Sequence, residues 1–344
     1  MDFMIEYLKK FENYKIISII GLAKNVSKTT TLNYIIRNIG EQIVLGLTSI
    51  GRDGEKYDVI TELPKPRIYI TKGTLIVTAK QCVEQSKIQF ELIKETGFNT
   101  PLGEIMILKA ESEGYIELAG PSINNQLAKI CSELESLGCD LILIDGAFDR
   151  RSYATPLISD ATIVSTGASV SRSMKEVIDL TIHTVQLLGL EPENDQEIID
   201  LCNEIIRKSK VGIITKSHSI INLEIATALD SAQNIIKSLD DNSQYVVIKG
   251  AITDRFLEDL MKYSQKYKGI TFLVEDSTKL FISKNIFKKF QKKGGILKVL
   301  NPIKLIGLTI NPTSPYGYQF DKDKFLRALT EELSIPVYNL GVND

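Results

Sequence analysis

Histidine is scarce in this chain: His183 and His218 are the only two in 344 residues. That leaves little material for a multi-histidine metal centre or a histidine-based hydrolase triad, so each is expected at an ordinary helix or loop position. Cysteine is nearly as thin, and Cys82, Cys131, Cys139 and Cys202 lie far apart without a Cys-x-x-Cys pair. Neither a disulfide framework nor a thiolate cluster fits, and core thiols in a reducing compartment are expected. No apolar run approaches the roughly eighteen residues that cross a bilayer. The opening Met-Asp-Phe-Met-Ile-Glu has no basic region before an apolar stretch, so no secretory signal is expected and the cytoplasm is the default location. An excess of one charge is missing too: 41 basic against 43 acidic residues leave a net charge of −2, which supplies no global field for a polyanion. No nucleic-acid partner and no membrane are expected, and a homo-oligomer stays open. What remains, at 43% hydrophobic and 24% charged residues, is a globular composition with length for one or two domains.

Apolar, β-branched runs recur along the chain: Ile16 to Ile20, Ile43 to Ile50, Leu141 to Ile144, Thr162 to Val164, Val211 to Ile214, Tyr245 to Ile248, Ile270 to Val274 and Leu305 to Ile310. Their lack of alternation is how strands buried on both faces of a parallel sheet read. Amphipathic helices are predicted between them, at Asn124 to Leu137, Ser173 to Leu188, Asp254 to Tyr267 and Lys322 to Leu333. The alternation predicts an α/β fold with a doubly wound, mostly parallel sheet. Thr71 to Ala79 and Leu102 to Leu118, with turns at Gly73 and Glu113-Gly114, predict antiparallel decoration. The acidic stretch Glu191 to Asp200 is the best internal boundary. The expected organisation is a core over 1–190, an α/β segment over 191–300 that extends the same sheet, and a strand with a closing helix over 301–344 that belong to the core. A lysine-rich segment, with Lys284, Lys288, Lys289, Lys292, Lys293 and Lys298, reads as a solvated helix face because Phe287 and Phe290 occupy inward positions; an anion-docking patch is the alternative.

The stretch that carries chemistry runs from Ile16 to Ile36. A buried strand ends at Gly21, the polar loop Lys24, Asn25, Val26 follows, and Ser27-Lys28-Thr29-Thr30 opens an amphipathic helix. That is the setting of a phosphate-binding loop: backbone N–H groups and the positive helix end surround phosphate, Lys28 adds an ammonium, and the Thr29 hydroxyl suits Mg²⁺. Ser27 departs from the common G-x-x-x-x-G-K-[ST] pattern, which has glycine there and one residue fewer after the first glycine. If the position demands positive φ, the serine strains the loop. The bland alternative is a polar turn with a solvated Lys28.

Asp140-Leu-Ile-Leu-Ile-Asp145-Gly146 is an apolar strand ending in a carboxylate, resembling a Walker B segment in which Asp145 holds Mg²⁺ through water; the alternative is an aspartate that only caps the strand. Asp149, Arg150 and Arg151 follow it, as γ-phosphate sensors or as surface ion pairs. Asp53, in the loop Arg52-Asp53-Gly54-Glu55 hinged by Gly51 and Gly54, is a further catalytic candidate, or else part of an exposed turn. Thr215-Lys216-Ser217-His218 lacks the aspartate of the guanine-reading [NT]-K-x-D pattern, which disfavours GTP. The strand ending Asn311-Pro312, followed after a helix by Ile335-Pro-Val-Tyr-Asn339, is similar to the adenine-contacting end of dethiobiotin synthetase, whose loop also has the Gly21-to-Ser27 spacing. The resemblance implies a SIMIBI-type P-loop NTPase with ATP and Mg²⁺ as cofactors.

Four phrases together resemble a narrower family: Gly-Leu-Ala-Lys-Asn-Val-Ser-Lys-Thr-Thr from Gly21, Gly-Leu-Thr-Ser-Ile-Gly-Arg-Asp-Gly-Glu from Gly46, Ile-Asp-Gly-Ala-Phe-Asp-Arg-Arg-Ser from Ile144, and Asn-Pro-Thr-Ser-Pro from Asn311. They look like the small component of lysine 5,6-aminomutase reactivases, the KamB family of lysine-fermenting anaerobes. The resemblance implies a conformational chaperone and slow, partner-stimulated ATPase. Its partners would be a larger MutS-like ATPase, KamC, and the adenosylcobalamin-dependent aminomutase holoenzyme. The chain has no D-x-H-x-x-G cobalamin-binding pattern. An ATP-dependent ligase or kinase of the dethiobiotin synthetase type, with Lys24 holding a small anionic acceptor, and a non-hydrolysing scaffold remain the alternatives.

Overall fold

A computed structural model describes residues 14–50, 67–146, 155–224 and 232–340. The chain divides into two compact units, Met1–Ile182 with Lys304–Asp344, and His183–Ile303.

The first unit is built on β1 (Ile16–Gly21), α1 (Lys28–Ile39), β2 (Leu45–Ser49), β3 (Ile68–Ile70), β4 (Leu75–Ala79), α2 (Lys80–Glu84), β5 (Phe90–Thr100), β6 (Gly103–Ala110), β7 (Gly114–Ile116), α3 (Asn124–Ser136), β8 (Leu141–Asp145), β9 (Ala161–Gly167) and α4 (Met174–Leu188). After the second unit the chain returns with β17 (Leu305–Asn311), α9 (Lys322–Glu332) and β18 (Val337–Asn339). Nine strands form one sheet in the order β18-β17-β9-β1-β8-β2-β4-β6-β5. The ladder is parallel from β18 to β4, and β6 and β5 are added antiparallel as a hairpin.

The unbroken apolar runs are explained by burial on both faces. Ile17, Ile19, Leu141 and Leu143 pack in one cluster with Leu32, Ile35 and Ile36 of α1. Their neighbours Ile16, Ile142 and Ile144 pack in another with Leu127, Ile130 and Leu134 of α3. Successive residues serve opposite layers, so nearly every position is apolar. The chain builds outward from β1 through β2 and β4 on one side, and later through β9 and β17 on the other. Beside such a reversal the carboxyl edge of an open α/β sheet is where ligands bind, and Gly21, Asp145, Gly167 and Asn311 end their strands at that edge.

The second unit holds α5 (Gln196–Lys208), β10 (Val211–Thr215), β11 (Ile220–Leu223), α6 (Ala232–Ser238), β12 (Ser243–Ile248), β13 (Ile252–Thr253), α7 (Asp254–Tyr263), β14 (Thr271–Val274), β15 (Leu280–Phe281), α8 (Lys284–Lys292) and β16 (Ile296–Val299). Five of its strands make a separate sheet in the order β11-β10-β12-β14-β16. The expectation that 191–300 extends the first sheet is therefore corrected: β10, β12, β14 and β16 pair only among themselves and with β11, around a core of their own. The acidic stretch is not the boundary either, since the division falls inside α4 between Ile182 and His183. Glu191 to Asp200 is bound into the second unit. The Glu193 N–H donates to the Val299 carbonyl at 2.9 Å, and Asp195 caps α5 by accepting from the Glu197 and Ile198 N–H groups.

Candidate functional site

Residues 22–27 connect β1 to α1 at the carboxyl edge of the first sheet. Val26 is fully buried and plugs the loop from below. A Cβ on Gly21 would lie 2.7 Å from Val26 Cγ2 and 2.9 Å from Lys28 Cδ. Glycine thus makes room for the plug and for the Lys28 stem, which folds back over the strand end while its Nζ donates to the Ala23 carbonyl at 3.3 Å. Asn25 and Ser27 both have left-handed backbones, with φ of 58° and 67°. Left-handed residues are how short loops turn N–H groups into an anion-binding concavity. Ser27 stands at the N-cap of α1 without making a side-chain capping bond, and the first turn of α1 has no acidic residue. The condition under which Ser27 strains the loop is met. Thr29 and Thr30 follow as the second and third residues of α1, half-buried beside Lys28.

The loop is fastened at three places, to β9, to the turn that follows β9 and, through Thr31, to β17. The Leu22 N–H donates to the Ser165 carbonyl at 2.9 Å, and Ser169 Oγ donates to the Lys24 carbonyl at 2.9 Å. Thr31 Oγ1 donates to the Ser27 carbonyl at 3.0 Å and lies 2.9 Å from Thr309 Oγ1, which lies 2.8 Å from Ser165 Oγ. Sequence reasoning passed over Thr31, Ser165 and Thr309. Their signal is that of polar residues inside otherwise apolar, doubly buried runs, which require partners.

Asp145 ends β8, the strand that pairs in parallel with β1; in register Asp145 stands beside Ile19 on one side and Ser49 on the other. The next residue is glycine for a steric reason. A Cβ on Gly146 would lie 2.5 Å from the Ile19 carbonyl oxygen, to which the Gly146 N–H donates at 2.9 Å. This close approach keeps the carboxylate at the strand end one strand away from the Gly21 loop. A hydroxyl and a carboxylate are the oxygen donors that suit Mg²⁺, so Thr29 and Asp145 fit that ion by ligand chemistry.

On the other side, β9 and β17 end at Gly167 and Asn311, which are paired in register. Asn311 Oδ1 accepts from the Thr313 N–H at 2.9 Å, and its carbonyl accepts from the Ala168 N–H at 2.8 Å. Pro312 is buried, and its carbonyl accepts from the Phe320 N–H at 2.8 Å. Tyr318 Oη donates to the Ala168 carbonyl at 2.6 Å, and the Arg172 guanidinium lies 5.7 Å from the Tyr318 ring centroid. Neither Arg172 nor Tyr318 was singled out from the sequence.

Other candidates stand elsewhere. Asp53 with Arg52 and Gly54, and Asp149, Arg150 and Arg151, lie outside the described residues. Thr215 to His218 form the β10–β11 turn, where Thr215 Oγ1 accepts from the Ser219 N–H at 3.1 Å and His218 Nδ1 is 2.6 Å from Glu197 Oε1. His183 is buried on α4; its Nε2 donates to the Ile282 carbonyl at 2.7 Å. Cys82, Cys131, Cys139 and Cys202 are buried thiols outside any disulfide. Burial pushes the Cys131, Cys139 and Cys202 thiols up to about 12, which leaves them unreactive. Phe287 and Phe290 of α8 are buried, as the solvated-helix reading expects, but Lys298 belongs to β16 and donates to Glu193 Oε2 at 3.2 Å. Among the described residues, no cluster of three or more His, Cys, Asp or Glu could hold a metal ion, and no helix is long and apolar enough to cross a membrane. Comparison with protein-family models, with curated proteins and with solved structures finds no match to this chain.

Proposed function

We propose that this chain is a SIMIBI-type P-loop protein that binds ATP and Mg²⁺ at the β1–α1 loop. One observation carries the reading: the strand that ends in Asp145 is the parallel neighbour of the strand that feeds the loop holding Lys28 and Thr29. On this reading backbone N–H groups of 22–27 and the α1 N-terminus receive the phosphates, Lys28 bridges the β- and γ-phosphates, and Asn311 and Pro312 receive the adenine. Thr29 and Asp145, the latter through water, would hold the metal ion, which offsets charge on the β- and γ-oxygens. Calorimetry with a non-hydrolysable ATP analogue and Mg²⁺ tests this. The parent binds and Lys28→Ala does not; equal affinities would rule the loop out.

The four phrases quoted above extend the proposal to the ATP-binding component of a reactivase for an adenosylcobalamin-dependent lysine 5,6-aminomutase. In that role nucleotide binding changes the surface offered to the MutS-like ATPase and to the holoenzyme, and hydrolysis resets it. ATPase activity of this chain should rise when the partner ATPase is added and stay low with small carboxylates alone. Turnover with a small carboxylate and no protein partner would favour a ligase instead. The left-handed backbone of Ser27 favours one second reading, a scaffold that binds nucleotide without hydrolysing it. Such a scaffold would show no hydrolysis with or without the partner.

A further inference from the structure

Thr31, Thr309 and Ser165 form a continuous chain of buried hydroxyls: their relative exposures are 0%, 1% and 0%. Each hydroxyl has a single proton, and one direction satisfies all the short contacts, the 3.5 Å approach of Thr309 Oγ1 to the Val164 carbonyl being the longest available to it. Thr31 gives its proton to the Ser27 carbonyl and therefore accepts from Thr309, which in turn accepts from Ser165. The chain ends on the carbonyl of Ser27, a non-glycine residue held at φ 67°. It begins on β9 and passes through β17 two residues before Asn311. The same β9 residue, Ser165, also holds the Leu22 N–H, so both ends of the loop are referred to one strand position.

Resting on the ATP-site reading above, we propose that Thr309 is a positioning residue. Its hydroxyl links the base-side strand to the phosphate loop and fixes the Ser27 peptide in the conformation that receives phosphate. Without it, Thr31 loses the donor that polarises its hydroxyl, Ser165 loses its acceptor, and the left-handed turn loses part of what holds it. The affinity for the phosphates then depends on a residue of the base-side strand that touches no ligand.

The experiment compares ATP affinity, by calorimetry with a non-hydrolysable analogue, for the parent, Thr309→Val, Thr309→Ser, Thr31→Val and the Thr31→Val/Thr309→Val double variant. Thr309→Val keeps the side-chain shape and should lose roughly ten-fold in affinity, the scale of one unpaired buried hydrogen-bonding group. Thr309→Ser, which restores the hydroxyl, should recover most of that loss. The double variant should bind no worse than the weaker single variant, because one chain is broken in either case. Losses that multiply in the double variant, or a serine variant as weak as valine, would overturn the proposal. If Thr309→Val does not fold by circular dichroism, Ser165→Ala decides: weakened affinity supports the chain and parental affinity refutes it. A parent that binds no nucleotide would refute the ATP-site reading itself, an outcome distinct from a binding parent with indifferent variants.

Discussion

Ser27→Gly isolates the strain in the loop. Ser27 is held at φ 67° and ψ 31°, and its side chain makes no capping bond that would compensate. A left-handed backbone costs a residue with a Cβ about 1–2 kcal/mol, which glycine does not incur. Glycine's extra freedom in the unfolded chain takes back roughly 0.5–1 kcal/mol. The net expectation is a variant more stable by about 0.5–1 kcal/mol, a rise of about 1–4 °C in the unfolding midpoint for a domain of roughly 150–250 residues. Thermal and urea unfolding of the parent, Ser27→Gly and Ser27→Ala measure it. Alanine keeps the Cβ and its strain, so the order should be glycine above serine, with alanine no better than serine. The same relief should raise ATP affinity or turnover, because the backbone and the approach to phosphate are both freed. Alanine and glycine variants of equal stability would refute the strain argument. A glycine variant that is more stable yet binds ATP less well would instead show that the hydroxyl serves the ligand.

Asn311→Ala should weaken ATP binding by about 1–3 kcal/mol, the cost of an unpaired buried hydrogen-bonding group, and ATP should displace a fluorescent ATP analogue at lower concentration than GTP does. Displacement at lower concentration by GTP would overturn the assignment of the base. In the second unit, burial pushes the Glu193 carboxyl up, but the N–H groups of Asp195 and Asn194 and the Lys298 ammonium outweigh it and hold the carboxyl below its ordinary value. A depressed carboxylate stabilises the fold above its unfolded value of about 4.3, and that contribution is lost as pH falls through the lower folded value. Glu193→Gln should cost about 1–3 kcal/mol near neutral pH and should flatten this acid limb; an unfolding profile with an unchanged acid slope would show that Glu193 does not contribute.

The strands of the central sheet were legible because β1, β8 and β17 are buried on both faces along most of their length and read as nearly unbroken apolar runs. β5 was not. Phe90–Thr100 is an edge strand with mostly exposed or half-buried positions, two register shifts and charges at Glu91, Lys94 and Glu95, so neither a run nor a clean alternation marks it. The separate sheet of the second unit escaped notice for another reason. A doubly buried strand announces that it is buried, not which strand lies beside it, and β12 reads the same in either sheet. Within the candidate site, the Gly21 loop was legible because strand, loop and helix are contiguous in sequence, and Asp145 because it ends an apolar run. The hydroxyl chain was not, because Thr31 and Thr309 stand 278 positions apart.

The placement of β17 also sets an order of events during synthesis. The chain completes β1, α1, β8 and β9, then departs through His183–Ile303 before returning at Lys304. Ser165 must wait 144 residues for Thr309, while the second unit draws its whole core from residues already made. When the insert has been made, seven of the nine strands of the sheet exist and β9 still lacks its β17 neighbour. Closing the β9 edge waits for β17, so the loop and the base-side strand acquire their final geometry together, after the insert has been made rather than before it.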